Sequence, residues 1–201
     1  MNILKLPHSQ KSKLSDMAIN IPNILTLLRI LLTPLFVIFL LKHLYFFALI
    51  VFTLAGISDG LDGFIARYLN QRTTLGAYLD PIADKLLLTA AYASLAILNI
   101  IPPWLTVIVI SRDVLIAIGM FIFAMTNIRV EIKPSIVSKC TTAAQLLTVF
   151  LTLLQTEIQG VSSITHSLYW LTAVLTIMSG LHYVYKGLNI LQNASTNNHA
   201  E

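Results

Sequence analysis

Charge is scarce in this chain. Asp, Glu, Lys and Arg make up 11% of its 201 residues, against about a quarter in soluble globular domains, which excludes a sizeable soluble domain. Cysteine is nearly absent as well. Cys140 alone excludes an intrachain disulfide and a thiolate metal cage, and reads as a small helix-packing residue. No histidine stands between His43 and His166, so a zinc site of ordinary type is not expected there. The net charge of +4 would in a soluble protein suggest nucleic acid. In a chain this apolar, basic flanks are topology signals and contacts to anionic lipid, and no nucleic acid is expected as a partner.

What the chain has in excess is hydrophobic length: 56% of residues are apolar and the mean hydropathy is +0.79. Apolar runs recur at about 21–41, 44–66, 77–98, 103–126, 136–157 and 164–188. Each is long enough to cross a hydrocarbon core of about 30 Å at about 1.5 Å per residue. The predicted fold is an all-α integral membrane protein of six transmembrane helices, with a segment 1–20 before it, one domain over 21–188 and a flexible polar tail over 189–201. The first run shows no small-residue cleavage site and reads as a retained span. Lys5, Lys11 and Lys13, then Arg67 and Arg72, then Arg129, Lys133 and Lys139, then Lys186 mark one side of the membrane. Apart from Lys42, the intervening loops carry no Lys or Arg. That alternation predicts both termini in the cytoplasm, and a bacterial inner membrane is the expected location.

Against this background stands "SDGLDGFIARYLNQRTTLGAYLDPIADK", Ser58 to Lys85, with Asp59, Asp62, Asp80 and Asp84 among apolar neighbours. Asp59 would lie about 22 Å along the second span, toward its cytoplasmic end. Asp80 and Asp84 fall in the first turns of the third, which starts from that end. Each pair is three or four residues apart and shares a helix face. Four carboxylates this close cannot all stay ionised without cations. Arg67 and Lys85 supply two positive charges at most, so hard divalent ions are expected, magnesium or manganese, as a pair sharing carboxylates. Gly63 and Gly76 leave room for a bulky ligand beside the ligating aspartates, and Arg67 can meet a phosphate with two parallel hydrogen bonds. The pattern predicts a diphosphate pocket at the membrane edge, suited to a lipid whose head is a nucleotide diphosphate. A purely structural role for four intramembrane carboxylates in two helical pairs is the weaker reading.

The spacing Asp59-x-x-Asp62-Gly63-x-x-Ala66-Arg67, eight residues, Gly76-x-x-x-Asp80-x-x-x-Asp84 resembles the signature of the CDP-alcohol phosphatidyltransferases. "IPNILTLLRI" in the first span and the six-helix plan extend the likeness. The resemblance implies six helices around a cytoplasm-facing polar cavity, commonly in a homodimer, with CDP-diacylglycerol as donor. It implies metal binding by Asp59, Asp62 and Asp80, with Asp84 as general base and a share in the metal. Gly63, Arg67 and Thr73, with Gly76 beside the ligands, would contact the donor.

The acceptor is less sharply written. Arg112, Lys133 and Lys139 are the candidates to meet an acceptor's phosphate, although Arg112 stands beside Asp113 and also reads as an ion-paired helix residue. "IPNILTLLRI" and "LGAYLDPIADKLLL" look like the phosphatidylglycerophosphate synthases, which use glycerol 3-phosphate. "SRDVLIA" and "KPSIVSKCTTAAQL" look more like the CMP-forming cardiolipin synthases, which use phosphatidylglycerol. Glycerol 3-phosphate is the leading expectation. A divalent-cation transporter is the remote alternative, disfavoured because the acidic residues gather at one end of the spans.

Overall fold

The computed structural model of the protein describes residues 21–68, 74–125, 136–158 and 162–198. All regular structure among them is helical: α1 (Ile21–Leu41), α2 (Tyr45–Tyr68), α3 (Thr74–Ile97), α4 (Pro103–Met125), α5 (Ile136–Glu157) and α6 (Ser162–Asn198). These follow the six apolar runs within a few residues, except at the last. Helix α6 continues through Asn198, so most of the polar stretch expected to fray from 189 onward has helical backbone.

Four helices contain segments long and apolar enough to cross a membrane: Ile24–Leu41, Pro103–Phe123, Ile136–Glu157 and Ile164–Ile190. Helices α2 and α3 each have 24 residues and so a length of about 36 Å. The apolar part of α2 is Tyr45–Gly60. The acidic motif places Asp59 and Asp62 near the end of α2 and Asp80 and Asp84 near the start of α3.

Two of the turns are closed by backbone geometry. After α1, Leu44 N–H donates to the Phe39 carbonyl and His43 N–H to the Leu40 carbonyl (2.9 Å each), with His43 at φ 56°. After α3, Ile100 N–H reaches the Leu95 carbonyl and Asn99 N–H the Ala96 carbonyl, with Asn99 at φ 56°. Both are Schellman endings, in which a left-handed residue turns the chain back and satisfies the last carbonyls. Asparagine suits that conformation. His43 is the less usual occupant, and its Nδ1 is hydrogen-bonded to the Tyr45 hydroxyl at 2.7 Å.

The chain divides into two compact units, Met1–Ala91 and Tyr92–Glu201. In the first, α1 and α2 form an antiparallel pair. Thr26, Arg29, Phe36 and Leu40 are buried on α1, and Ala48, Val51, Phe52, Ala55 and Ser58 on α2. These are the helical spacings of one face on each helix. Phe36 meets Phe52 and Phe39 meets Phe47, with centroids 5.6 and 5.7 Å apart, which fixes the register. Pro34 lies inside α1 and cannot donate to the carbonyl one turn back. Next to it, the Thr33 hydroxyl donates to the Arg29 carbonyl at 2.9 Å.

In the second unit the usual amphipathic order is reversed. Thr141, Gln145, Thr148 and Thr152 of α5 are buried, as are Thr165, Thr172, Thr176 and Ser179 of α6. Outward, α6 presents Ile164, Trp170, Leu171, Val174, Ile177, Met178 and Leu181. Hydroxyls pair across the two helices: Thr148 with Thr172 at 2.7 Å, Thr152 with Tyr169 at 3.2 Å, and Gln145 Nε2 donating to Thr176 at 3.3 Å. The Tyr92 hydroxyl of α3 donates to the Gln145 carbonyl at 3.2 Å. In a hydrocarbon surround apolar surface gains nothing by burial, and small hydroxyl residues that bond across helices hold the contact instead. Cys140, expected to pack between helices, is exposed.

The seam makes a measurable claim. Thr148→Val keeps the shape and removes one interhelical hydrogen bond, so it should lower stability in detergent by about 0.6 kcal/mol and by no more than about 1.7 kcal/mol. A double-mutant cycle with Thr172→Val, read by reversible unfolding, should return a coupling energy of that size.

Candidate active site

The register of the α1–α2 pair determines what stands opposite Asp59. Two turns further from the connecting loop than Phe36 on α1 is Arg29, and two turns further than Phe52 on α2 is Asp59. The pair is formed: Arg29 Nη2 lies 3.0 Å from Asp59 Oδ1. The other terminal nitrogen, Nη1, donates to Asp84 Oδ1 of α3. Asp84 follows Ala83 on a face continued by Leu87, Leu88 and Ala91, all buried. One guanidinium therefore gathers carboxylates from two helices. Arg29 has 0% side-chain exposure, whereas Asp59 and Asp84 are each 39% exposed. A cation taken wholly out of solvent requires this pairing, and removing one partner of such a buried pair typically costs about 3–5 kcal/mol.

The expected meeting of the two aspartate pairs is thus realised for one member of each, Asp59 and Asp84. Asp62, Gly63 and Arg67 lie in α2, and Gly76 and Asp80 in α3, with side chains outside the described set. Thr73 and Lys133 fall outside the described residues altogether. Among the described residues, no group of three or more His, Cys, Asp or Glu is close enough to hold a metal. The residues present nevertheless suit a hard divalent ion. Two half-exposed carboxylates converge on a single cationic centre, and the motif's donor set is oxygen alone.

Arg29 corrects the charge balance drawn from the sequence, which credited the aspartates with Arg67 and Lys85 only. A third cation stands among them. The signal was present in "IPNILTLLRI", where an arginine in the middle of an apolar span needs an acidic partner.

Arg112, expected either to bind the acceptor or to serve as an ion-paired helix residue, is 4% exposed. Its Nη1 donates to Asp113 at 2.8 Å, and its Nη2 to the hydroxyls of Ser138 and Ser179 at 2.7 and 2.9 Å. The guanidinium carbon lies 5.8 Å from the Tyr183 ring centre, within cation–π range. It thereby ties α4 to α5 and α6. Gly180 accommodates its stem, since a Cβ there would stand 3.6 Å from Arg112 Cγ. Lys139, at the start of α5, is exposed.

The sequence profile of the family described as CDP-alcohol phosphatidyltransferase matches residues 19–178. The chain belongs to this family.

Among its relatives are the human "Cardiolipin synthase (CMP-forming)", 36% identical over 86% of this chain and 63% of the human protein. The "CDP-diacylglycerol--glycerol-3-phosphate 3-phosphatidyltransferase" of Wigglesworthia glossinidia brevipalpis is 34% identical over 84% of this chain and 95% of that protein. The protein of the same name from Bacillus subtilis is 30% identical over 88% and 99%. The chain spans less than two thirds of the length of the human and rat relatives. As a member of this family with four long apolar helices among the described residues, it is a multi-pass membrane protein.

The engaged donors of Arg112 make its two readings separable. Arg112→Lys removes the fork that reaches Asp113 and two serines and leaves a single ammonium. It should lower stability by about 2 kcal/mol, seen as a reduced Tm in detergent. A residue that only binds acceptor would leave Tm unchanged and raise the acceptor KM.

Proposed function

We propose that the protein transfers the phosphatidyl group of CDP-diacylglycerol to glycerol 3-phosphate, forming phosphatidylglycerophosphate and releasing CMP. The observation that carries this reading is the match over nearly their whole length to bacterial proteins named for that reaction. The convergence of Asp59 and Asp84 on one cationic point supports it chemically. Family membership favours a transferase over the cation-transporter reading. We further place six helices across a bacterial inner membrane around a cytoplasm-facing cavity, with both termini cytoplasmic, in a homodimer. The length of α2 and α3 and the alternating basic loops support the crossings.

Asp84 accepts the proton of the acceptor hydroxyl. The oxygen so exposed attacks the phosphorus that carries the diacylglycerol. A bond forms there while the bond to the CMP oxygen breaks, and CMP leaves with the electron pair. Arg67 meets the departing phosphate, and Gly63, Thr73 and Gly76 line the donor. Magnesium or manganese, two ions held by Asp59, Asp62, Asp80 and Asp84, would supply neutralisation of the diphosphate and of its leaving group. Lys133 and Lys139 receive the acceptor's phosphate, with Arg112 behind them.

A second reading, CMP-forming cardiolipin synthase with phosphatidylglycerol as acceptor, is favoured by two observations. The human enzyme of that name is among the relatives at 36% identity. Both terminal nitrogens of Arg112 are also occupied within the protein, which leaves a thinner cationic site than a phosphomonoester prefers.

The product decides between them. Purified protein given CDP-diacylglycerol with glycerol 3-phosphate or with phosphatidylglycerol should form phosphatidylglycerophosphate from the first, and none once a chelator has removed divalent cations. Cardiolipin from the second acceptor alone would reverse the assignment, and full turnover without divalent cations would sink the metal-dependent mechanism.

Asp84→Asn removes the base and keeps an oxygen of similar size to accept from Arg29. It should reduce kcat by about 10²-fold or more and also lower Tm, because the buried Arg29 keeps only Asp59 as a charged partner. Near-normal turnover would move the base to another group.

A further inference from the structure

Arg29 is fully buried, sits on a helix outside the aspartate motif, and is shared between the two carboxylates described above. As a stabilising device alone it is a poor choice. An apolar side chain in its place, with apolar partners, would usually hold helices together as well or better. Its position explains it differently. The guanidinium meets Asp59 and Asp84 from the buried side, while both carboxylates keep 39% of their side-chain surface exposed. A planar fork can engage two acceptors at once and fix the distance between them, which an ammonium cannot.

Resting on the metal-dependent reading of this site, we propose that Arg29 is a positioning residue and a built-in counter-cation. It holds Asp59 and Asp84 together on one cationic centre, and by its own charge it would keep a divalent ion there loosely bound until an anionic diphosphate arrives. Arg29 is permanently protonated, so this charge is constant across the working pH range. A fixed positive charge within a few ångströms weakens the binding of a second cation even at an effective dielectric constant of about 20. Added diphosphate reverses the balance. Divalent cation and donor therefore bind cooperatively, each weakly without the other.

The test is Mn²⁺ binding to the full-length protein in detergent, followed by electron paramagnetic resonance with and without CDP. Wild type should bind Mn²⁺ weakly alone and about tenfold more tightly with CDP. Arg29→Gln should bind Mn²⁺ about tenfold more tightly than wild type without CDP, lose most of the CDP effect, and turn over about 100-fold more slowly at saturating Mn²⁺. A merely structural role would weaken or abolish binding, not tighten it. Unchanged or weaker Mn²⁺ binding in Arg29→Gln overturns the proposal. Arg29→Lys keeps the charge and loses the fork, so it should bind Mn²⁺ within about threefold of wild type with kcat reduced about tenfold. If Arg29→Gln does not fold, Arg29→Lys decides alone, and wild-type turnover in it overturns the positioning role. Wild type that transfers phosphatidyl groups beside variants that bind Mn²⁺ as it does removes only this inference. Wild type that takes up no Mn²⁺ removes the metal-dependent reading together with it.

Discussion

A guanidinium without access to solvent must be met by negative charge, and the Arg29 pairing with Asp59 and Asp84 is how this chain meets it. The pairing constrains three helices. It requires the register that the Phe36–Phe52 contact sets between α1 and α2, and it requires Asp84 to lie on the inner face of α3. The same demand reaches the backbone. Pro34 interrupts the α1 hydrogen-bond ladder just beyond Arg29, where the Thr33 hydroxyl serves the Arg29 carbonyl. Both terminal guanidinium nitrogens and the carbonyl of one residue are met from within the protein, as a low-dielectric surround favours.

The second unit meets the same constraint by other means. Several of its buried polar groups are neutral hydroxyls and one amide that pair across α5 and α6, and the buried cation among its described residues, Arg112, is shared among Asp113, Ser138 and Ser179. Buried cations thus stand at two places among the described residues, Arg29 and Arg112, and each arginine has partners on other helices. The first arrangement leaves carboxylates half-open to a ligand. The second encloses its cation. That difference in exposure, more than residue type, separates a site that can exchange ions from a fastening.

Much of this was legible in the sequence. Six apolar runs became six helices because hydrocarbon-scale length needs no tertiary context to be recognised. The convergence of Asp59 and Asp84 agrees with the expectation that the two acidic turns face each other. Arg29 was missed because the reading stayed within the acidic motif, although the Phe36–Phe52 register extended by seven residues leads from it to Asp59. The extent of α6 was missed because polar composition was taken as an end signal, whereas "LQNASTNN" contains neither Gly nor Pro to stop a helix. The enclosure of Arg112 depended on Ser138 and Ser179, on other helices, and no local pattern announces a partner so distant in the chain.

The seam between α5 and α6 carries a consequence for how this helix pair finds its alignment. Its threonines stand seven and then four positions apart on both helices, at 141, 148 and 152 against 165, 172 and 176. A slide by one turn, about 5.4 Å, would set threonine against threonine again at several levels. Like the teeth of two similar combs, such rows mesh in more than one position. Gln145 and Tyr169 are the irregular teeth, longer than the rest and each engaged with one hydroxyl across the gap. The uniqueness of the alignment therefore resides in two residues, while the threonines supply cohesion in whichever position those two select.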